Sequence, residues 1–159
     1  MNAHQEIAEF LAENKIEYTS YPHKPIFTVE DGGEIAEAIG IEPCKTLFLL
    51  NRQRQPFMLL IDGKKTIPLS EFAGQTGSSR LSFASPDILF SYLRASAGAV
   101  SPLGLLFDNE HKIRLYIDKQ VLERELIAMH PCVNTETYVF RCSEFLHFLA
   151  SANHSYFIL

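Results

Sequence analysis

The stretch CKTLFLLNRQRQPFMLLID, residues 44–62, holds two short apolar runs joined by a polar link with two arginines. Runs of this length separated by a polar turn predict a β-hairpin with Arg52 and Arg54 at its tip. The first run opens on a cation: Lys45 precedes Thr46, Leu47, Phe48, Leu49 and Leu50. Lysine is rarely buried whole, and its alkyl stem readily lies on apolar surface while the ammonium stays in water. Position alone therefore makes Lys45 a snorkelling side chain, and any further role needs support from elsewhere in the chain.

Outward from the hairpin, apolar periodicity predicts helices and strands in mixed order. Ile7, Phe10 and Leu11 recur at helical spacing within residues 3–14. IEYTSYPH (16–23) is β-rich and is closed by Pro22 and Pro25, and GGEIAEAIGI predicts a short helix entered at Gly32–Gly33 and left at Gly40. DGKK (62–65) marks a turn. Ser70 is a candidate cap for a helix carrying Phe72 and Ala73, and Ser85–Pro86 opens a second helix holding Ile88, Leu89, Tyr92 and Leu93. KIRLYID (112–118) and TYVFRC (137–142) are predicted strands, and Phe145, Leu146 and Leu149 mark a final helix. The last nine residues, SANHSYFIL (151–159), are expected to be a tail whose apolar end docks on the body or on a partner. Short strands mixed with helices, without a βαβ rhythm, predict an α+β fold: a mixed, strongly curved sheet with helices packed outside. At 159 residues the chain is expected to form a single domain, 1–159.

Composition narrows the function. Hydrophobic residues make up 47% and charged residues 21%, values of an ordinary globular protein, and no segment approaches the roughly 20 apolar residues of a membrane span. The acidic, amphipathic N-terminus does not read as a signal peptide. Cys44, Cys132 and Cys142 form an odd set without CxxC spacing, which argues against a disulfide framework or a zinc knuckle and suits a reducing cytoplasm. With a net charge of -5, any contact with nucleic acid is expected to be small and local.

Four stretches carry chemistry: YPHKPIFTVED (21–31), PCKTLFLL with Lys45, GAVSPLGLLFD (98–108) and HPCVNTET (130–137). In the third, Gly98, Pro102 and Gly104 predict a rigid turn whose backbone approaches something closely; its N–H groups could hold a carbonyl oxygen or an oxyanion. In the fourth, His130 is a candidate base, ligand or wall residue, and Asn134 offers a donor and an acceptor. Histidines elsewhere are scattered, so no metal is expected. There is no GxSxG elbow, P-loop or GxGxxG, so no cofactor is expected either.

Taken in order, these four stretches resemble the prolyl-tRNA synthetase-associated editing domains of the YbaK-like superfamily, and most closely its freestanding alanine-specific deacylases. The resemblance runs from FLAENKIEYTSYPHKPIFTVED to TYVFRCSEFLHFLA and is carried by the lysine of CKTLFL, the GxxxP loop GAVSP, RLSFASP and HPCVNTET. It implies a curved sheet around a small pocket, and hydrolysis of alanine wrongly esterified to the proline tRNA. The implied partner is the tRNA acceptor end, with prolyl-tRNA synthetase as a further candidate. The implied catalytic set is Lys45, Gly98, Ser101 and Pro102; the implied substrate-binding set is Ile26, Phe27, Thr28, Thr46, Leu47, His130 and Asn134. Alanine deacylases of this kind often carry asparagine after the lysine, whereas Thr46 stands here and is common in the cysteine-specific branch. Cys132 also stands where asparagine or an apolar residue is expected, which could alter the pocket wall.

The implied reaction has a physical rationale. A synthetase site built for proline cannot exclude the smaller alanine, because each missing methylene is worth only about 1–3 kcal/mol. A second pocket that admits alanine and rejects the larger ring corrects the error. The ester is activated, so a backbone oxyanion site and the ribose hydroxyl beside the ester suffice, and the Lys45 ammonium is expected to anchor the terminal adenosine. Arg52, Arg54, Lys64, Lys65 and Arg80 are candidates for a basic rim. Two alternatives stand beside this expectation: a deacylase of cysteinyl- or seryl-tRNA from the same superfamily, and a non-catalytic module that binds tRNA or a synthetase.

Overall fold

The computed structural model describes the backbone of all 159 residues and every side chain except that of Val29. The predicted hairpin is its central feature. Strands β2 (Cys44–Leu50) and β3 (Pro56–Asp62) pair antiparallel from Cys44–Asp62 to Leu50–Pro56, with the Asn51–Gln55 link at the tip. Along β3, Met58 and Leu60 face one core cluster while Phe57, Leu59 and Ile61 face another. The strand is covered on both faces, which is why its sequence is continuously apolar rather than alternating.

Around the hairpin a five-stranded sheet forms in the order β4-β2-β3-β5-β8. Here β4 is Ser82–Phe83, β5 is Arg114–Ile117 and β8 is Phe157–Ile158. Pairings with β5 are parallel and those with β2 antiparallel, so the sheet is mixed as expected. A separate antiparallel sheet of three strands has the order β1-β7-β6, with β1 Thr19–Pro22, β6 Leu126–Met129 and β7 Glu136–Arg141. The strands thus divide between two sheets. The segment that forms β6, LIAM, is too short and too plain in pattern to be read as a strand without its partner β7.

The larger core lies between these sheets. It takes Ile7 and Leu11 from α1 (Ala3–Glu13) and Phe48, Met58 and Leu60 from the hairpin. Ile127, Tyr138 and Phe140 come from the second sheet, and Phe145, Phe148 and Leu149 from α6 (Cys142–Ser151). The smaller core packs α3 (Leu69–Thr76) through Phe72 and Ala73 on the opposite face of the hairpin. A short α5 (Lys119–Leu122) precedes β6.

Two helix starts differ from the sequence expectation. Helix α2 runs Val29–Ile39, so Gly32 and Gly33 lie inside it; it begins earlier because Thr28 and Asp31 form a capping box. Helix α3 is entered from Pro68, placing Ser70 within the helix rather than at its cap. Ser85 does cap α4 (Pro86–Leu93), accepting from the Ile88 N–H at 3.4 Å. The tail is part of the body: Phe157 and Ile158 pair with Tyr116 and Ile117, and the Leu159 N–H donates to the Ile117 carbonyl at 2.9 Å.

Candidate functional site

The mouth of the hairpin and three neighbouring segments enclose a cavity of about 550 Å³. One wall is α2, which contributes Ile35, Ala36 and Ile39, with Ile26 just before it. Pro43, Cys44, Lys45 and Thr46 border it from the start of β2, and Gly63 and Lys64 from the turn after β3. Val100 comes from the 98–102 turn, Ala128, Met129 and Thr137 from the second sheet, and His130 from the loop that leaves β6. This volume lies in the ordinary range of small-molecule sites and exceeds what an alanyl group alone occupies. A more open hollow of about 630 Å³ lies across the shared residues Ile39 and Ile41, bordered by Tyr18, Tyr21, Leu126 and Arg141. None of the sequence-predicted site residues borders that second hollow.

Of the predicted residues, Ile26, Lys45, Thr46 and His130 meet at the cavity. Strand alternation sets Thr46 on the face of Phe48, toward the larger core, and Lys45 on the face of Leu47 and Leu49. Lys45 nevertheless borders the cavity beside Thr46, because it stands at the open end of the strand rather than within the covered sheet. Leu47 packs against the smaller core and does not border the cavity. Phe27 is exposed, and Thr28 is spent on capping α2, its hydroxyl accepting from the Asp31 N–H at 3.0 Å. Asn134 stands behind the wall: its side-chain amide donates to the Ile26 carbonyl at 3.1 Å, and its own carbonyl accepts from the Ile26 N–H at 3.2 Å.

The 98–102 turn reaches the cavity through Val100 rather than through the residues predicted for it. Gly98 is exposed, and an added Cβ there would come no nearer than 3.7 Å to the Ile26 carbonyl, an ordinary contact. The close approach predicted for this segment occurs at Gly104, where a Cβ would meet the Leu93 side chain at 2.9 Å and its carbonyl at 3.0 Å. The glycine is needed for packing on α4, not for a ligand. Ser101 is fully buried, and its hydroxyl accepts from the Leu103 N–H at 3.1 Å to start the 3-10 turn Pro102–Phe107. Pro102 is buried in that same turn. Cys132 does not alter the cavity wall: it is buried in the larger core, in a left-handed turn with φ 62°.

The polar groups have assignable states. His130 Nδ1 lies 3.0 Å from the Glu136 carbonyl; an oxygen can only accept, so this nitrogen carries the proton and Nε2 is left with a lone pair. Burial, with help from nearby His23, holds the His130 pKa below 6.5, against the pull of the Glu136 carbonyl. His23 is held at both ring nitrogens: its Nδ1–H donates to the Lys24 carbonyl at 2.8 Å, and its Nε2 lies 2.8 Å from the Thr137 hydroxyl. Burial pushes the Cys44 thiol up to about 11, so it stays protonated at neutral pH and is no nucleophile.

Beneath the mouth, one guanidinium ties the hairpin ends together. Arg124 Nη1 donates to the Glu42 carbonyl at 2.9 Å and to Cys44 Sγ at 3.0 Å, while Nη2 reaches Asp62 Oδ2 at 2.5 Å. The Gly63 N–H donates to the Pro43 carbonyl at 2.8 Å, and a Cβ at Gly63 would strike that same oxygen at 2.7 Å. Sequence reading missed this support, and it missed Thr137 and the apolar face of α2. Ile35, Ala36 and Ile39 do show helical spacing, but nothing local distinguishes a cavity wall from a core face.

Residues 23–148 match the aminoacyl-tRNA editing domain family. Among curated relatives, the prolyl-tRNA editing protein ProX of Acetoanaerobium sticklandii is 38% identical over 144 residues, 87% of this chain and 85% of the relative. The prolyl-tRNA synthetase associated domain-containing protein 1 of Danio rerio is 29% identical over 157 residues, 98% of this chain and 85% of the relative. The fold is similar to a crystal structure of a candidate trans-editing enzyme for prolyl tRNA synthetase. That similarity has a TM-score of 0.74 at 16% identity, covering 98% of this chain and 95% of that one. A hypothetical protein of known structure is similar at TM-score 0.74 and 18% identity, over 96% and 97% of the two chains.

Proposed function

The chain belongs to the aminoacyl-tRNA editing domain family, and from that premise we propose that it is a trans-editing hydrolase releasing alanine from mischarged proline tRNA. The observation that carries this reading is the meeting of Lys45, Thr46, His130, Ile26 and Val100 around one largely apolar cavity. In the reaction, water attacks the ester carbonyl and the bond from that carbon to the ribose oxygen breaks. The departing oxygen takes a proton, leaving free alanine and an uncharged tRNA end. Backbone of the 98–102 turn at Val100 receives the carbonyl oxygen as charge develops on it. The ribose hydroxyl beside the ester positions the water.

Lys45, at the mouth, anchors the terminal nucleotide through an oxygen of its ribose or phosphate. His130 Nε2 accepts a hydrogen bond from the amino group of the alanyl moiety, a role that requires the neutral imidazole favoured by its burial. The cavity exceeds an alanyl group in volume, so the ribose enters with it, and the larger proline ring is rejected by the apolar lining, to which Ile35, Val100 and Met129 contribute. Thr46 brings a hydroxyl to the wall and favours a second reading, in which seryl- or cysteinyl-tRNA is the substrate.

One assay compares release of the amino acid from alanyl-, seryl-, cysteinyl- and prolyl-tRNA. Release of alanine with prolyl-tRNA left intact is expected, and preferential release of serine or cysteine overturns the alanine assignment. Lys45→Ala is expected to lower kcat/KM about tenfold to 150-fold, the worth of one charge-assisted hydrogen bond. Near-normal turnover by the folded variant removes Lys45 from the site.

A further inference from the structure

Among the described residues Phe27 is the large apolar residue left most in water: it is 80% exposed, more than Met1 at the free terminus. A lone surface phenylalanine needs no explanation by itself. This one is presented from a pinned backbone at the edge of the cavity. The Phe27 and Thr28 N–H groups both donate to Asp31 Oδ2, at 3.1 and 3.2 Å. One residue earlier, Ile26 exchanges two hydrogen bonds with Asn134 and borders the cavity, and a Cβ on Gly98 would stand 3.7 Å from the Ile26 carbonyl. The ring is therefore carried outward at the junction of α2, the 98–102 turn and the cavity wall.

A substrate whose ester lies inside the cavity has a nucleobase attached that must emerge from it. That base is flat, apolar on both faces and unpaired. A rigidly held ring at the exit shields one face from water, and stacking of this kind does not depend on which base is present. The chain's few basic residues and net charge of -5 leave little phosphate attraction to hold the nucleic acid, so a stacking contact carries more of the affinity. We propose that Phe27 is the stacking platform for the terminal, unpaired nucleobase of the substrate. This rests on the editing function proposed above.

Phe27→Ala is expected to raise KM for alanyl-tRNA about 5- to 150-fold while kcat holds, the loss of one base–aromatic stack. Phe27→Tyr restores the wild-type KM and Phe27→Leu does not. An unchanged KM in Phe27→Ala, or equal rescue by leucine and tyrosine, overturns the proposal. A second measurement stands independently of turnover. The chain contains no tryptophan, so Phe27→Trp introduces a single indole reporter at this position. Saturable quenching by a single-stranded oligonucleotide ending in CCA, lost when its terminal nucleotide is abasic, supports the platform even if no tRNA is deacylated, an outcome that would remove the editing function alone. Equal quenching by both oligonucleotides, or quenching only by purified prolyl-tRNA synthetase, overturns it.

Discussion

His130 shows how one side chain's state follows from two contacts. The Glu136 carbonyl holds the proton on Nδ1, and burial disfavours a second proton on Nε2. Its pKa lies below 6.5, so the neutral form is present at neutral pH and is lost only as pH falls through that depressed value. Deacylation is therefore expected to show an acid limb with its midpoint below the ordinary histidine range. His130→Asn is expected to shift or abolish that limb in a kcat/KM profile. An unchanged limb in the variant assigns the titration to another group. Stability carries the same sign: the unfolded chain binds the extra proton first, so His130 disfavours the fold as pH drops below 6.5.

Helix α2 and the hairpin mouth face each other across the cavity, and each is held by a small polar device. The Thr28–Asp31 box satisfies the first N–H groups of α2, and Thr28→Ala is expected to lower stability by about 1 kcal/mol in denaturant unfolding. At the mouth, the Arg124 side chain is 15% exposed and bridges residues 42–44 to Asp62. Arg124→Ala is expected to cost about 2 kcal/mol, because the Asp62 carboxylate and two carbonyls lose a charged donor together. A stability loss indistinguishable from zero would mean that the backbone pairing of β2 with β3 alone sets the mouth.

Across the whole molecule, the chain's end is locked by a buried ion pair. His154 Nε2 lies 3.2 Å from Asp108 Oδ2, with both side chains 3% exposed, and its Nδ1 lies 2.9 Å from the Ser155 carbonyl. Both nitrogens face acceptors, so the ring is doubly protonated. Burial works against that charge, but the bonds to Asp108 and Ser155 outweigh it and raise the pKa above 6.5. Burial likewise disfavours the Asp108 carboxylate, yet His154 and the Ile113 and Lys112 N–H groups hold its pKa below 3.8. A raised histidine pKa contributes stability fully below 6.5 and loses it as pH rises through the folded value. Urea midpoints are thus expected to fall on the alkaline side in the wild-type chain and to flatten there in His154→Gln. Parallel curves for the two proteins would show that the pair contributes nothing to the docking of β8.

Sequence alone determined the elements whose signal is local. The hairpin at 44–62 follows from two apolar runs around a polar turn, α4 from Ser85–Pro86, and α1 from the spacing of Ile7, Phe10 and Leu11. The ordered motifs of the sequence also point to the family. Tertiary structure alone decided which motif residues face the cavity. Ser101 and Gly104 had the right chemistry for a ligand loop, but packing against α4 and the start of a 3-10 turn claimed them. Leu47 and Thr46 are adjacent in sequence yet serve opposite faces of a sheet covered on both sides. The physical reason is that a side chain's neighbours across a sheet or a cavity come from distant segments. Arg124 under the hairpin and Asn134 behind Ile26 act over separations that no local pattern encodes.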